Sequence, residues 1–211
     1  MSFDRLAPYY RWMEFVLAGE KLQRCRLACL EEIRDCRDIL VAGVGPGRFL
    51  QACARELPEA RIVCLDASQS MLERAQARWR KAGGKPEQAN FVHATLPEWQ
   101  PPSAAFDLIV THFFLDCFPE PMLSRVIARL ALAARADARW LVSDFQIPTS
   151  GLARLRARTV LAMAYAFFKL ATRLPASGLI APAVLLERQG FRLLRRRTFD
   201  YGLLYSEVRQ R

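Results

Sequence analysis

Three glycines at alternate positions, Gly43, Gly45 and Gly47, follow a short apolar run from Ile39 to Ala42. Such a run reads as a buried parallel strand, because a strand covered on both faces needs no polar alternation. Arg48, Phe49 and Leu50 then begin a helical spacing that continues through Ala52, Cys53, Ala54 and Leu57. A strand that turns through glycines into a helix leaves unpaired backbone N–H groups, and the positive end of a helix dipole, at the carboxyl edge of a sheet. That edge can hold a polar ligand against main chain, provided no Cβ blocks the turn or the approach. Asp66 lies nineteen residues beyond Gly47, at the end of the next apolar run. A carboxylate there can accept both hydroxyls of a ribose held over the turn. Each feature alone has a simpler reading, a ligand-free tight turn and a helix-capping aspartate; their coupling at this spacing favours a nucleoside. A dinucleotide fingerprint needs G-x-G-x-x-G, and its last position falls on Arg48 or Leu50 in the two registers, which disfavours a pyrophosphate cofactor.

A second set of candidates stands further on, at His112-Phe113-Phe114-Leu115-Asp116, the exit of a strand read over Phe106 to Thr111. His112 is placed to take a proton from an acceptor, or is a buried structural histidine. Asp116 can orient His112, contact a substrate, or cap the next helix. Phe113, Phe114, Tyr165, Phe167 and Phe168 can line an apolar acceptor chamber, and aromatics at helical spacing can equally be core. The six cysteines contain no C-x-x-C pair, and with His93 and His112 as the two histidines a metal site is not expected.

The elements that must position these residues alternate strand and helix. Arg61 to Leu65 delivers Asp66; Ser68 can cap a helix with Met71, Leu72, Ala75 and Trp79 on one stripe. Asn90–His93 and Trp140–Asp144 read as further strands, and 121–134 as a helix. This order argues for a parallel sheet with helices on both faces. Before it, Leu22, Cys25, Cys29, Leu30 and Ile33 keep helical spacing; after it come a basic, apolar helix over Leu152 to Leu174, a shorter one over Ala181 to Gln189, and strands at 191–198 and about 201–209.

The 211 residues suit one domain, and the formal net charge of +10 is carried mostly by arginines spread along the chain. No nucleic-acid-binding motif accompanies that charge, so no nucleic-acid partner is expected. The first residues show no secretory signal, and no apolar run approaches the ~20 residues of a membrane span, so a cytoplasmic protein with reduced thiols is expected. Cations flanking the apolar centre of 152–174 suit a substrate lid, a core helix, or transient contact with a membrane surface.

Gly43-Val44-Gly45-Pro46-Gly47 and Asp66-Ala67-Ser68-Gln69-Ser70-Met71-Leu72 resemble class I S-adenosylmethionine-dependent methyltransferases, in particular the small-molecule, ubiquinone/menaquinone C-methyltransferase-like group. Phe106-Asp107-Leu108-Ile109-Val110 resembles their fourth strand, and Gln189-Gly190-Phe191 the turn before their closing strands. The resemblance implies an α/β, Rossmann-like, seven-stranded and mostly parallel sheet with an antiparallel last strand. It implies S-adenosylmethionine as cofactor, approached by Gly43, Gly45 and Gly47, with Asp66 on the ribose hydroxyls and Ala67, Met71 and Thr95 around the adenine. Residues 1–36 would form a helical lid including Tyr10, 37–145 the cofactor-binding core, 146–189 the substrate-side helices and 190–211 the closing strands. Two positions depart from the pattern: Val41 stands where the family has an acid holding the cofactor's ammonium, and Thr95 where it often has an acid for the adenine amine. The expected function is methyl transfer to a small, apolar or quinone-like acceptor, with a non-catalytic cofactor-binding protein as the alternative.

Overall fold

The computed structural model describes residues 20–172 and 181–211, and within 163–172 the backbone alone. Tyr10 and the rest of the expected lid before residue 20, and the side chains of Tyr165, Phe167 and Phe168, lie outside the described residues.

Five strands run parallel: β1 (Asp38–Ala42), β2 (Arg61–Asp66), β3 (Ala89–His93), β4 (Phe106–His112) and β5 (Ala134–Phe145). Two more, β6 (Arg192–Phe199) and β7 (Leu204–Gln210), complete a seven-stranded sheet in the order β3-β2-β1-β4-β5-β7-β6. β7 is antiparallel to both its neighbours, as the resemblance implied. The helices are α1 (Glu20–Leu27), α2 (Arg48–Glu56), α3 (Gln69–Lys81), α4 (Glu120–Ala133), α5 (Gly151–Thr172) and α6 (Ala183–Arg188).

Alternate residues of β1 feed two cores. Ile39 and Val41 pack with Phe49, Leu50 and Trp79 of α2 and α3. Leu40 and Ala42 face the other way, onto Leu123, Ile127 and Leu130 of α4. Burying a side chain of this size contributes roughly 1.5–3 kcal/mol, so neither face of β1 tolerates a polar residue. That is why the run before the glycines is continuously apolar.

Two elements differ from the sequence reading. The segment from Leu22 to Ile33 is not one helix: α1 ends at Leu27 and a 3-10 turn follows at Glu31–Ile33. Cys25, Cys29, Ile33 and Cys36 are nevertheless all buried, so their spacing marks burial on a descending chain rather than unbroken helix. β5 is twelve residues long and starts at Ala134 rather than Trp140. Its polar first half is held by ion pairs, Arg135 to Asp38 at 2.7 Å and Arg139 to Asp35, so hydropathy alone does not mark it. Among the described residues no helix is long and apolar enough to cross a membrane.

The strand order reverses between β1 and β4, since β2 follows β1 on one side and β4 on the other. Crevices in open parallel sheets form at such a switch, beyond the carboxyl ends of the strands. Here the glycine turn and the β4 exit meet.

Candidate active site

Gly43, Gly45 and Gly47 all have positive φ, at 71°, 53° and 78°, but they serve three different ends. A Cβ on Gly43 would sit 2.2 Å from the Phe114 ring, so the β4 exit folds flat onto this residue. A Cβ on Gly47 would sit 2.7 Å from the Cα of Ala75, so this glycine lets α2 and α3 pack closely. A Cβ on Gly45 would have nothing within 4 Å among the described residues. Gly43 and Gly45 line the cleft, and Gly47 packs closely against α3.

Asp66 holds this turn. Its Oδ2 accepts the Gly45 N–H at 2.8 Å and its Oδ1 the Ser68 N–H at 2.9 Å. Ser68 Oγ in turn accepts the Met71 N–H at 3.3 Å, capping α3 as expected. Burial pushes the Asp66 carboxyl above its ordinary pKa, against the pull of the Ser68, Gly45 and Ala67 N–H donors. Met71 is buried and Ala67 half-buried beside it; Thr95 is exposed on the loop after β3. The sequence reading missed His93, whose ring nitrogen meets the Ala67 carbonyl at 3.1 Å. Its signal was the register of two strand ends, since β2 and β3 pair with Asp66 opposite His93.

His112, at the end of β4, lines the same cleft as Val41, Gly43, Gly45 and Arg26. Its ring stands edge-on to Phe49, with centroids 4.7 Å apart. Both ring nitrogens are buried with no hydrogen-bond partner among the described residues. Leaving such groups unsatisfied costs on the order of 1–3 kcal/mol each, which a ligand able to pair with them would offset. Burial, and then the charge of Arg26, push the imidazole well below its ordinary pKa, so it stays neutral. A strongly depressed pKa makes a weak proton acceptor, and Asp116 does not orient the ring, because neither nitrogen has a partner. Arg26 itself is 6% exposed, with its guanidinium carbon 5.1 Å from the Phe113 ring centroid. It was legible as a buried position, since it follows Leu22 by one helical turn.

At the next exits stand two carboxyls. Asp116 is half-buried on the 3-10 turn Leu115–Cys117, and Asp144 is 2% exposed near the end of β5. Burial pushes Asp116 up to about 6. Burial, and then the charge of Asp116, push Asp144 well above its ordinary value. The two titrate as a pair. Phe114 and Phe118 flank this region edge-to-face, with ring centroids 5.0 Å apart.

The geometry at the β1–β4 switch fits one kind of ligand. Open space at Gly45, carboxylate lone pairs on Asp66 and unpartnered ring nitrogens on His112 suit a nucleoside with a charged end, and S-adenosylmethionine has that form. Residues 39–137 match the family profile described as a methyltransferase domain. The ubiquinone/menaquinone biosynthesis C-methyltransferase of Syntrophotalea carbinolica is 27% identical over 227 residues, covering 98% of this chain and 92% of that protein. The trans-aconitate 2-methyltransferase of Afipia carboxidovorans is 30% identical over 86 residues, covering 41% of this chain and only 30% of that protein. The structure of magnesium protoporphyrin IX methyltransferase from Synechocystis, with S-adenosylhomocysteine bound, shares the fold at a TM-score of 0.68 and 17% identity, covering 99% of this chain and 96% of that one. Residues 39–137 therefore carry a methyltransferase domain, on a fold that the chain shares with a methyltransferase holding S-adenosylhomocysteine.

Proposed function

We propose that this chain, folded as one domain over 1–211, transfers the methyl group of S-adenosylmethionine to a small, apolar, quinone-like acceptor in the cytoplasm. The pairing of Gly45 with Asp66 beside open space supports the cofactor half of this reading. The Phe114–Phe118 pair at the β4 exit, and the full-length likeness to a quinone-pathway C-methyltransferase, support the acceptor half. Six unpaired cysteines, five of them buried, suit a reducing compartment.

The backbone of Gly43 and Gly45 would receive the cofactor, Asp66 its ribose hydroxyls, and Ala67 and Met71 its adenine, with Thr95 on the rim. Tyr10 would belong to a lid closing from the amino-terminal side. The cofactor, when bound, supplies a methyl group on an already activated sulfonium. The protein's main contribution is then alignment, which can contribute on the order of 7–11 kcal/mol. Where the acceptor must lose a proton, Asp116 suits the task better than His112. Its pKa of about 6 lies near the working pH, where a base is both ionised and strong enough to act.

Val41 supports a second reading, cofactor binding without turnover, because a buried valine replaces the acid implied at the end of β1. Tritium transfer from methyl-labelled S-adenosylmethionine distinguishes the two. A demethylated short-chain hydroquinone should be labelled well above trans-aconitate. Preference for trans-aconitate would overturn the apolar acceptor, and cofactor binding with no transfer to either would favour the second reading.

A further inference from the structure

The wall of the cleft nearest the end of β1 has its charge reversed. An acid is implied at Val41; the side chains there are instead Val41, His112 and the cations Arg26 and Arg48. An ammonium group placed against that wall meets no carboxylate among the described lining residues. A carboxylate placed there meets a buried guanidinium, which forms short, charge-assisted and often bidentate hydrogen bonds. His112 supplies the complementary need. A neutral imidazole carries one N–H donor and one bare nitrogen acceptor, and in His112 both are buried and unpartnered among the described residues. Its neutrality follows from burial and from the positive charge of Arg26, so the acceptor nitrogen survives at neutral pH. An amino-acid zwitterion is the ligand group that offers a carboxylate and an ammonium together.

We propose that Arg26 and His112 read the amino-acid end of the cofactor, Arg26 binding the α-carboxylate and the bare ring nitrogen of His112 accepting from the α-ammonium. This rests on the methyltransferase reading and makes the carboxylate the group by which this chain selects its cofactor. The same guanidinium chemistry would suit a carboxylate on the acceptor, and the test separates the two sources.

The experiment is titration calorimetry with three probes: S-adenosylhomocysteine, its analogue lacking the α-carboxyl group, and methylthioadenosine, which lacks the whole amino-acid end. Wild-type protein should bind the des-carboxy analogue about 10- to 100-fold more weakly than S-adenosylhomocysteine. Arg26→Met should bind both equally weakly and methylthioadenosine as wild type does, which also shows that it folds; Arg26→Lys should recover part of the difference. His112→Gln, which keeps a donor and an acceptor, should retain affinity that His112→Phe loses. The side-chain nitrogen resonances of His112 should shift with S-adenosylhomocysteine and stay in place with methylthioadenosine. Equal binding of S-adenosylhomocysteine and its des-carboxy analogue by the wild type overturns the inference while leaving the methyltransferase reading intact. So does an Arg26→Met variant that binds S-adenosylhomocysteine as tightly as wild type does, which would leave the guanidinium to a carboxylate on the acceptor. Failure of all three nucleosides to bind overturns both.

Discussion

The main-chain N–H of Gly45 donates to Oδ2 of Asp66 at 2.8 Å, so the residue that ends β2 fixes the middle of the turn that follows β1. One carboxylate thus shapes the glycine turn and presents its remaining lone pairs to whatever lies above it.

Replacing Asp66 with alanine should accordingly weaken S-adenosylhomocysteine binding by about 1.5–3 kcal/mol, the worth of hydrogen bonds to a charged group, or roughly 10- to 100-fold. Binding should also depend on pH with a definite sign. Ribose hydroxyls donate best to the ionised carboxylate, and burial raises the pKa of Asp66, so affinity should hold at neutral pH and fall as pH drops through that raised value. Titration calorimetry of wild type and Asp66→Asn across the acidic range checks this. A dissociation constant independent of pH in the wild type would remove the carboxylate from the ribose.

The other glycines should respond as packing residues. Gly47→Ala puts a Cβ 2.7 Å from the Ala75 backbone and should lower stability by about 1–3 kcal/mol, measured by denaturant unfolding. Gly43→Ala should be destabilising through Phe114, whose ring would lie 2.2 Å from the new Cβ. Adding Phe114→Ala should restore part of that loss, since the contact is with a side chain. Additive penalties would show that the positive φ, rather than the ring, is what requires glycine at Gly43.

Asp116 and Asp144 should make the protein more stable in mild acid. Both carboxyls are raised in the folded state, Asp116 to about 6, so the folded protein binds more protons than the unfolded chain. Stability from this pair is therefore present at low pH and declines as pH rises through the folded values, by about 1.4 kcal/mol per unit of displacement. Asp144→Asn removes one ionisation while keeping an oxygen to accept the Phe145 N–H, bonded at 2.8 Å in the native protein. Its melting temperature should exceed that of wild type near pH 8 and converge with it near pH 5. Equal melting temperatures at both pH values would show that the pair carries no strain.

The start of α5 should mediate any contact with a membrane surface. Leu152 and Leu155 are 86% and 65% exposed, beside the exposed Arg154 and Arg158. Sedimentation with anionic vesicles at low salt should show weak binding that added salt or Leu152→Ser with Leu155→Ser abolishes. Equal binding to neutral vesicles would contradict the electrostatic part.

The first half of the site was legible because local rules and the tertiary fold agree there. Glycine after a buried strand, a carboxylate closing the next strand and Ser68 before a helical stripe each have one good structural solution. The rest depends on distant pairing. The first half of β5 was missed because Arg135 and Arg139 are held by Asp38 and Asp35 from elsewhere in the chain. Asp144 closes the apolar run Trp140 to Val142, as Asp66 closes β2, and that parallel was available; its coupling to Asp116 was not. The close packing of Gly47 on Ala75 was not legible, because spacing cannot show a distant helix beside a glycine.

The most direct measurement of the central claim is titration of S-adenosylhomocysteine into wild type and Gly45→Ala, each checked by thermal melting. Among the described residues nothing lies within 4 Å of the new Cβ, so the variant should fold, at a cost of about 1–2 kcal/mol for alanine at positive φ. Wild type should bind one-to-one and the folded variant at least tenfold more weakly, because the methyl group occupies the space the cofactor must enter. No binding to wild type, or equal binding to both, would contradict the claim.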